Sequence, residues 1–238
     1  MNVAVVFAGG TGQRMNSKTK PKQFLELYGK PILVYTLEVF ENHPEIDGIV
    51  LVVLESWSGY TECLISKYNL SKVKAVVSGG DSAFESQRKG LEMVKELFGE
   101  DVVVLIHDGV RPLVNNETIS KNIESVKKRG TAITVTPAVE TITILDESGE
   151  VSQIIERSKV QMARAPQSFN LKDILSAHKS AESDNMEFID SASLMKHYGY
   201  HLFTVQGAPE NIKITTPNDF YTFRALVDAS ENSQIFGV

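Results

Sequence analysis

The residues best suited to chemistry gather near the start of the chain. An apolar run leads into Ala8-Gly9-Gly10-Thr11-Gly12, and Arg14, Lys20, Pro21 and Lys22 follow closely. Three glycines in four positions let backbone N–H groups wrap an anion, because no Cβ stands in the way. The loop is not a Walker loop, since no glycine-lysine-serine/threonine element closes it. It also fails the dinucleotide fingerprint, because Met15 occupies the third glycine position. From Met1 to Leu25 there is no acidic residue, while Arg14, Lys18, Lys20 and Lys22 all fall there, in a chain of net charge −6. Local positive charge in an acidic protein points to an anionic ligand near the start, a solvated basic loop being the plainer alternative. The overall acidity argues against a general nucleic-acid binder, which needs a basic footprint. Pro21 limits where Lys22 can point, so Arg14 and Lys22 can flank the loop and neutralise a triphosphate.

A second candidate lies where the apolar run Val102–Ile106 ends, in His107-Asp108-Gly109-Val110-Arg111-Pro112. A carboxylate at the carboxyl end of a strand, facing a phosphate-binding loop, is placed to hold Mg²⁺. Asp108 is the expected ligand, although an aspartate here also suits a turn cap. His107 reads as structural. A third stretch, Gly79-Gly80-Asp81 with Ser86, is small and polar, and a plain turn with a helix cap would produce much the same residues.

These groups need a scaffold. Apolar runs Val3–Phe7, Ile49–Leu54, Val73–Val77, Val102–Ile106 and Ala132–Val135 are rich in valine and isoleucine with little polar alternation. That is the pattern of parallel strands buried on both faces, joined by crossover helices: an α/β fold. Helices are expected over Pro31–Asn42, from Ser82 to about Leu97 with Glu85 completing a capping box, and over about Glu117–Arg129 with Gly130 as cap. Pro137–Ser158 reads as a hairpin arm turning at Asp146–Gly149, and its apolar face calls for a partner surface, so a homodimer is expected. Helices near Leu171–Glu182 and Ser191–Tyr198 follow. The chain returns through Leu202–Val205 and Ile212–Thr215 to a last helix started by Thr216-Pro217. All 238 residues are expected to form one domain.

Gly9-Gly10-x-Gly12-x-Arg14-Met15 followed by Pro21-Lys22-Gln23-Phe24 resembles the signature of the cytidylyltransferases that act on 2-C-methyl-erythritol 4-phosphate and ribitol 5-phosphate. Asp108 and Arg111 fall in a segment similar to that family's H-D-x-x-R-P motif. Asn211-Ile212-Lys213-Ile214-Thr215 matches its N-I-K-x-T element. Ala165-Pro166-Gln167 and Ile189-Asp190 resemble T-P-Q and T-D elements with the threonines lost, and Ala83 stands where the family usually has arginine. The resemblance, running from Val3 to about Phe220, implies a Rossmann-like three-layer sandwich and transfer of a cytidylyl group from CTP to a polyol phosphate, with Mg²⁺. It further implies that Ala8, Gly9, Gly10, Thr11, Gly12, Gly80, Asp81 and Ser86 bind the nucleotide. Arg14, Lys22 and Lys213 would serve catalysis, and Arg111, Thr141, Arg157 and Lys213 the acceptor, with Arg157 acting in its own or the neighbouring subunit.

The acceptor stays open: ribitol 5-phosphate or a related alditol phosphate is favoured, with 2-C-methyl-erythritol 4-phosphate as the alternative. Rival readings are a sugar-1-phosphate nucleotidyltransferase, a regulatory protein that only senses a nucleotide, and a nicotinamide oxidoreductase. The first lacks support from Asp108–Arg111 and Lys213, the second is disfavoured by retention of the charged set, and the third by the incomplete fingerprint. The lone Cys63 excludes an internal disulfide and suggests a reducing cytoplasm. No run nears the roughly 20 apolar residues of a membrane helix, and the start lacks a basic region and a cleavage-like site, so neither a membrane span nor a signal peptide is expected.

Overall fold

The fold, taken from a computed structural model, is described for residues 1–10 and 20–236, with side chains to 232. Strand β1 (Asn2–Ala8) opens the chain, and a short β2 (Glu26–Leu27) and β3 (Lys30–Pro31) form a small ribbon ahead of helix α1 (Ile32–Asn42). Then come β4 (Gly48–Val53), α2 (Ser58–Lys67), β5 (Val73–Ser78), α3 (Ala83–Phe98), β6 (Val103–Asp108), α4 (Asn116–Arg129) and β7 (Thr131–Pro137). The arm is β8 (Ile142–Leu145) and β9 (Val151–Ile155). The chain re-enters through β10 (Gln161–Asn170), α5 (Leu171–Ser183), α6 (Ser191–His197), β11 (Thr204–Gln206) and α7 (Pro217–Phe236).

Seven strands form one sheet in the order β11-β7-β10-β6-β1-β4-β5. All pairings are parallel except those of β10, which runs against both β6 and β7. Alternate residues of each central strand enter different cores, which is why the runs show no polar alternation. Ala4, Val6, Leu51 and Leu105 pack with Leu37 and Phe40 of α1 and with Ile119 and Ile123 of α4. Val5, Val52, Val104 and Ile106 pack on the opposite face with Leu91 of α3, Ile174 of α5 and Leu194 of α6. The result is the expected three-layer α/β sandwich. Gly90 lets α3 lie this close, since a Cβ there would stand 2.8 Å from methyls of both Val5 and Val52.

The local signals hold. The Ser82 hydroxyl accepts the Glu85 N–H at 3.1 Å, and Gly130 ends α4 at φ 85°. The arm turns where Asp146 Oδ1 accepts the N–H groups of Ser148 and Glu150. Three elements differ from expectation. Strand β10 shows in the sequence only as motif residues, because Pro166 in its middle lacks an N–H and argues against a strand. Helix α2 gives no clear periodic signal, its sequence carrying only Thr61 and Leu64 as buried positions. Residues 212–215 join no sheet; Ile214 donates one bond to the Val110 carbonyl at 2.9 Å and leads into α7.

Two buried histidines make the fold acid-sensitive. His178 lies against the Phe84 ring at 4.4 Å, and neither ring nitrogen finds a hydrogen-bond partner among the described residues. Burial, with a smaller effect from Arg88, pushes its pKa down to about 4, and burial does the same to His107. An unfolded histidine takes up a proton near pH 6.5 while the folded one refuses it until about 4, so stability is lost as pH falls across that window. His178→Phe should remove about 2 kcal/mol of the stability lost between pH 7 and pH 5. Urea midpoints at the two pH values check this; an unchanged difference would mean that folded His178 takes up its proton as readily as the unfolded chain does.

Candidate active site

The carboxyl edge of the sheet carries a cleft of about 570 Å³. Its floor is the end of β6. Asp108 is half-buried there, with Oδ2 accepting from Arg111 Nε and Oδ1 from Lys213 Nζ, each at 2.7 Å. Burial alone would raise the Asp108 pKa, but the charges of Lys213 and Arg111 outweigh it and hold the carboxyl at about 2. The turn that brings Arg111 back requires Gly109: a Cβ there would sit 2.9 Å from Leu33 Cδ1 and 3.0 Å from the Phe7 carbonyl oxygen. Arg111 is 9% exposed and also donates to the Asn211 carbonyl at 3.0 Å. Asn211 is tied in turn to the Ala165 carbonyl at 2.7 Å, which fixes the segment that presents Lys213.

On one side of Asp108 lie Gly9 and Gly10, following β1, and Gly80, Asp81 and Ser86, following β5; all line the cleft. Ser86 accepts the Gly80 N–H at 3.0 Å, and the Glu85 carboxylate accepts the Asp81 N–H at 2.8 Å. A Cβ at Gly80 would collide with that carboxylate. Ala8 is buried and contributes its carbonyl to a clamp that the motifs do not reveal. Gln23, 1% exposed, donates Nε2 to the Ala8 carbonyl and at 3.2 Å to the Gly10 carbonyl. The 3-10 turn Lys22–Phe24 that carries it is anchored by Phe24 stacking on Trp57 at 4.8 Å. Gln23→Ala takes this donor from the buried Ala8 carbonyl, so a loss of about 1–3 kcal/mol in stability is expected, with a weaker grip on the nucleotide. Urea titration and CTP binding by Trp57 fluorescence check both; wild-type values in each would show that the loop needs no clamp.

Across Asp108 lie Ala163, Arg164, Ala165 and Gln167 of β10, with Ile189, Asp190 and Ser191 at the start of α6. Asp190 caps α6 by accepting the Ser193 N–H at 2.9 Å. Ile189 is 93% exposed at the cleft mouth, and Ala165 is buried; neither brings a hydroxyl. Other expected residues are not gathered here. Arg157, on the exposed 3-10 turn Arg157–Lys159, donates to the Val139 carbonyl at 3.2 Å and borders a separate depression with Pro137 and Gln161. Thr141 is exposed on the arm. Lys22 does not line the cleft; the Asp219 pKa, which burial alone would raise, is lowered by hydrogen bonds from Thr216 and Thr215 and, to a smaller extent, by the Lys22 charge. Thr11, Gly12 and Arg14 lie outside the described residues.

Among the described residues no three acidic, histidine or cysteine side chains converge as a metal cage. Asp108 lies at the cleft floor, and a Mg²⁺ there would take over one of the oxygens that now meet Arg111 and Lys213, being an ion commonly held by one or two carboxylates together with substrate phosphates. Arg164 is a further cleft residue that no motif marks.

A glycine turn after β1, a carboxylate at the end of β6 and a facing lysine at the carboxyl edge of a mostly parallel sheet make a site suited to holding phosphate groups. The model of the 2-C-methyl-D-erythritol 4-phosphate cytidylyltransferase family matches residues 2–229. The chain belongs to this family. It is 51% identical over 239 residues to the ribitol-5-phosphate cytidylyltransferase of Streptococcus agalactiae serotype V, covering all of both chains. It is 38% identical over 230 residues to the 2-C-methyl-D-erythritol 4-phosphate cytidylyltransferase of Syntrophus aciditrophicus, covering 96% of this chain and 97% of that one. The crystal structure of 4-diphosphocytidyl-2C-methyl-D-erythritol synthase from Anaerococcus prevotii superposes with a TM-score of 0.83 at 27% identity, covering 96% of each chain.

Proposed function

We propose that this chain transfers the cytidylyl group of CTP to ribitol 5-phosphate or a closely related alditol phosphate, forming a CDP-alditol and pyrophosphate. The observation that carries the reading is full-length identity of 51% to a ribitol-5-phosphate cytidylyltransferase. The cleft agrees with it: cations stand on one side of Asp108 and a glycine loop on the other. An acceptor phosphate oxygen attacks the α-phosphorus of CTP, the bond to the β-phosphate bridging oxygen breaks, and pyrophosphate leaves with the electron pair. The nucleophile is already an anion, so no covalent enzyme intermediate is needed. The protein brings two anions together and stabilises developing charge.

The amides of Gly9 and Gly10 and the Gly80–Ser86 turn receive the nucleotide, with Arg14 on the triphosphate; the resemblance assigns Lys22 there too, although it stands outside the cleft lining. Lys213 and Arg111 orient the acceptor phosphate. Asp108 would hold Mg²⁺, which when bound neutralises triphosphate charge. Ile144, Leu145, Val151 and Ile154 expose between 46% and 66% of their surface on the arm. Those exposed apolar side chains support a homodimer in which Arg157 and Thr141 reach the neighbouring site. Among the described residues no helix is long and apolar enough to cross a membrane, and a cytoplasmic location fits the single cysteine. The family model and the 38% identical relative favour 2-C-methyl-D-erythritol 4-phosphate as the second reading.

Pyrophosphate release from CTP and Mg²⁺, measured with ribitol 5-phosphate, other alditol phosphates and methylerythritol 4-phosphate, tests the reading. Preference for ribitol 5-phosphate is expected. Preference for methylerythritol 4-phosphate would reverse the acceptor, and silence with CTP still bound would leave a nucleotide sensor.

A further inference from the structure

Arg164 lies in the irregular part of β10, between Ala163, which pairs with Val135, and Gln167, which pairs with Ile133. Bulges of this kind re-aim the side chains they contain, and Arg164 lines the cleft. Its Nε donates to Thr136 Oγ1 at 2.9 Å and one terminal nitrogen donates to the Asn211 carbonyl at 2.8 Å. Both partners are neutral. Among the described residues its guanidinium makes no ion pair, whereas Arg111 and Lys213 share the Asp108 carboxylate. Asp190 also borders the cleft, but its oxygens accept the Ser193 N–H and hydroxyl.

Arg111 and Arg164 converge on one acceptor, the Asn211 carbonyl, so two like charges are held together in a partly dry corner. Burial and the Arg111 charge both disfavour the Arg164 cation, whose pKa is lowered. Arg111 and Lys213 thus take up the Asp108 carboxylate while Arg164 stands beside Arg111 with no carboxylate of its own among the described residues, and an entering anion would relieve that crowding. After its two bonds, three of the five guanidinium N–H groups of Arg164 remain to meet that anion. Sheet order decides which one. The glycine loops follow β1 and β5, whereas β10 lies on the other side of β6. Arg164 therefore faces the nucleotide loops across Asp108.

We propose that Arg164 binds the phosphate of the acceptor and so helps to select a phosphorylated polyol over a free one. The assignment rests on the proposed function for the identity of that acceptor. Arginine suits the task because its planar fork can hold the Asn211 segment and a phosphate together in a fixed geometry that a lysine ammonium lacks.

The test uses the full chain with R164Q and R164K, and calorimetric binding of ribitol 5-phosphate and of inorganic phosphate in the presence of α,β-methylene-CTP. R164Q should weaken both anions by about 10- to 100-fold, with R164K in between, while the affinity for α,β-methylene-CTP stays within about twofold of wild type. Glutamine can keep the bond to Asn211, so wild-type anion affinity in R164Q would overturn the proposal and leave Arg164 as a loop support. An equal loss for α,β-methylene-CTP would overturn it as well, moving Arg164 to the nucleotide. If R164Q does not fold, unchanged anion affinity in R164K overturns it in the same way. Phosphate binding is read without turnover. A wild-type protein that binds phosphate through Arg164 yet turns over no alditol phosphate would remove the proposed acceptor and keep the site.

Discussion

Asp108→Asn is expected to lower kcat by about 10²–10³, the usual cost of removing a charged group from such a centre. The physical reason lies in the two contacts at 2.7 Å, one per carboxylate oxygen, to Lys213 and Arg111. An asparagine amide offers one oxygen and one NH₂, so one cation meets a donor in place of an acceptor. With the charge gone, Arg111 and Lys213 lose the carboxylate they share, and the carboxylate proposed to hold Mg²⁺ is removed. Stability should change as well. A carboxyl held at about 2 against an ordinary 3.8 contributes on the order of 2 kcal/mol above pH 3.8, lost as pH falls toward 2. The variant should therefore be less stable at neutral pH, with a flatter acid limb below pH 4. Turnover across an Mg²⁺ titration, read beside urea midpoints, checks both parts. A kcat within about threefold of wild type would take Asp108 out of the reacting centre, where the loss of a charge costs far more.

Lys213→Ala is the second large effect: kcat/KM for the acceptor should fall by about 10²–10³. The side chain is 43% exposed and leans on Asp108 from the segment that Asn211 ties to β10. Removing it deletes a cation from the acceptor side and leaves Asp108 paired with Arg111 alone. Because Lys213 and Asp108 touch, their losses should not multiply. The double variant is expected to be nearly as active as the weaker single one. A double loss equal to the product of the two would show that the ion pair seen here has no part in turnover.

Much of this architecture was legible residue by residue. The buried parallel strands were visible because both faces of each enter a core, which leaves valine and isoleucine at consecutive positions. Ser82, Gly130 and the Asp146 turn were visible because caps and turns satisfy backbone groups only a few residues away. Strand β10 was not, since its place between β6 and β7 comes from pairing with strands far off in the chain, against the local signal of Pro166. The same limit applies within the site. Gln23 stood in a recognised motif, but its hold on the Ala8 and Gly10 carbonyls is a contact across a loop. Arg164 carried no signal at all.

The sequence by itself determined the α/β class and the positions of the arm and the caps, because each rests on short-range periodicity or local turn chemistry, and its resemblance to a family singled out Asp108, Arg111 and Lys213 as candidates. Only the tertiary structure decided that Lys213 and Asp108, 105 residues apart, form one ion pair. It also decided that Arg164 lines the same cleft, and that Arg157 and Thr141 stand away from their own chain's cleft. Those facts depend on strand order and on where β10 breaks its register, and strand order is set by burial summed over the whole sheet.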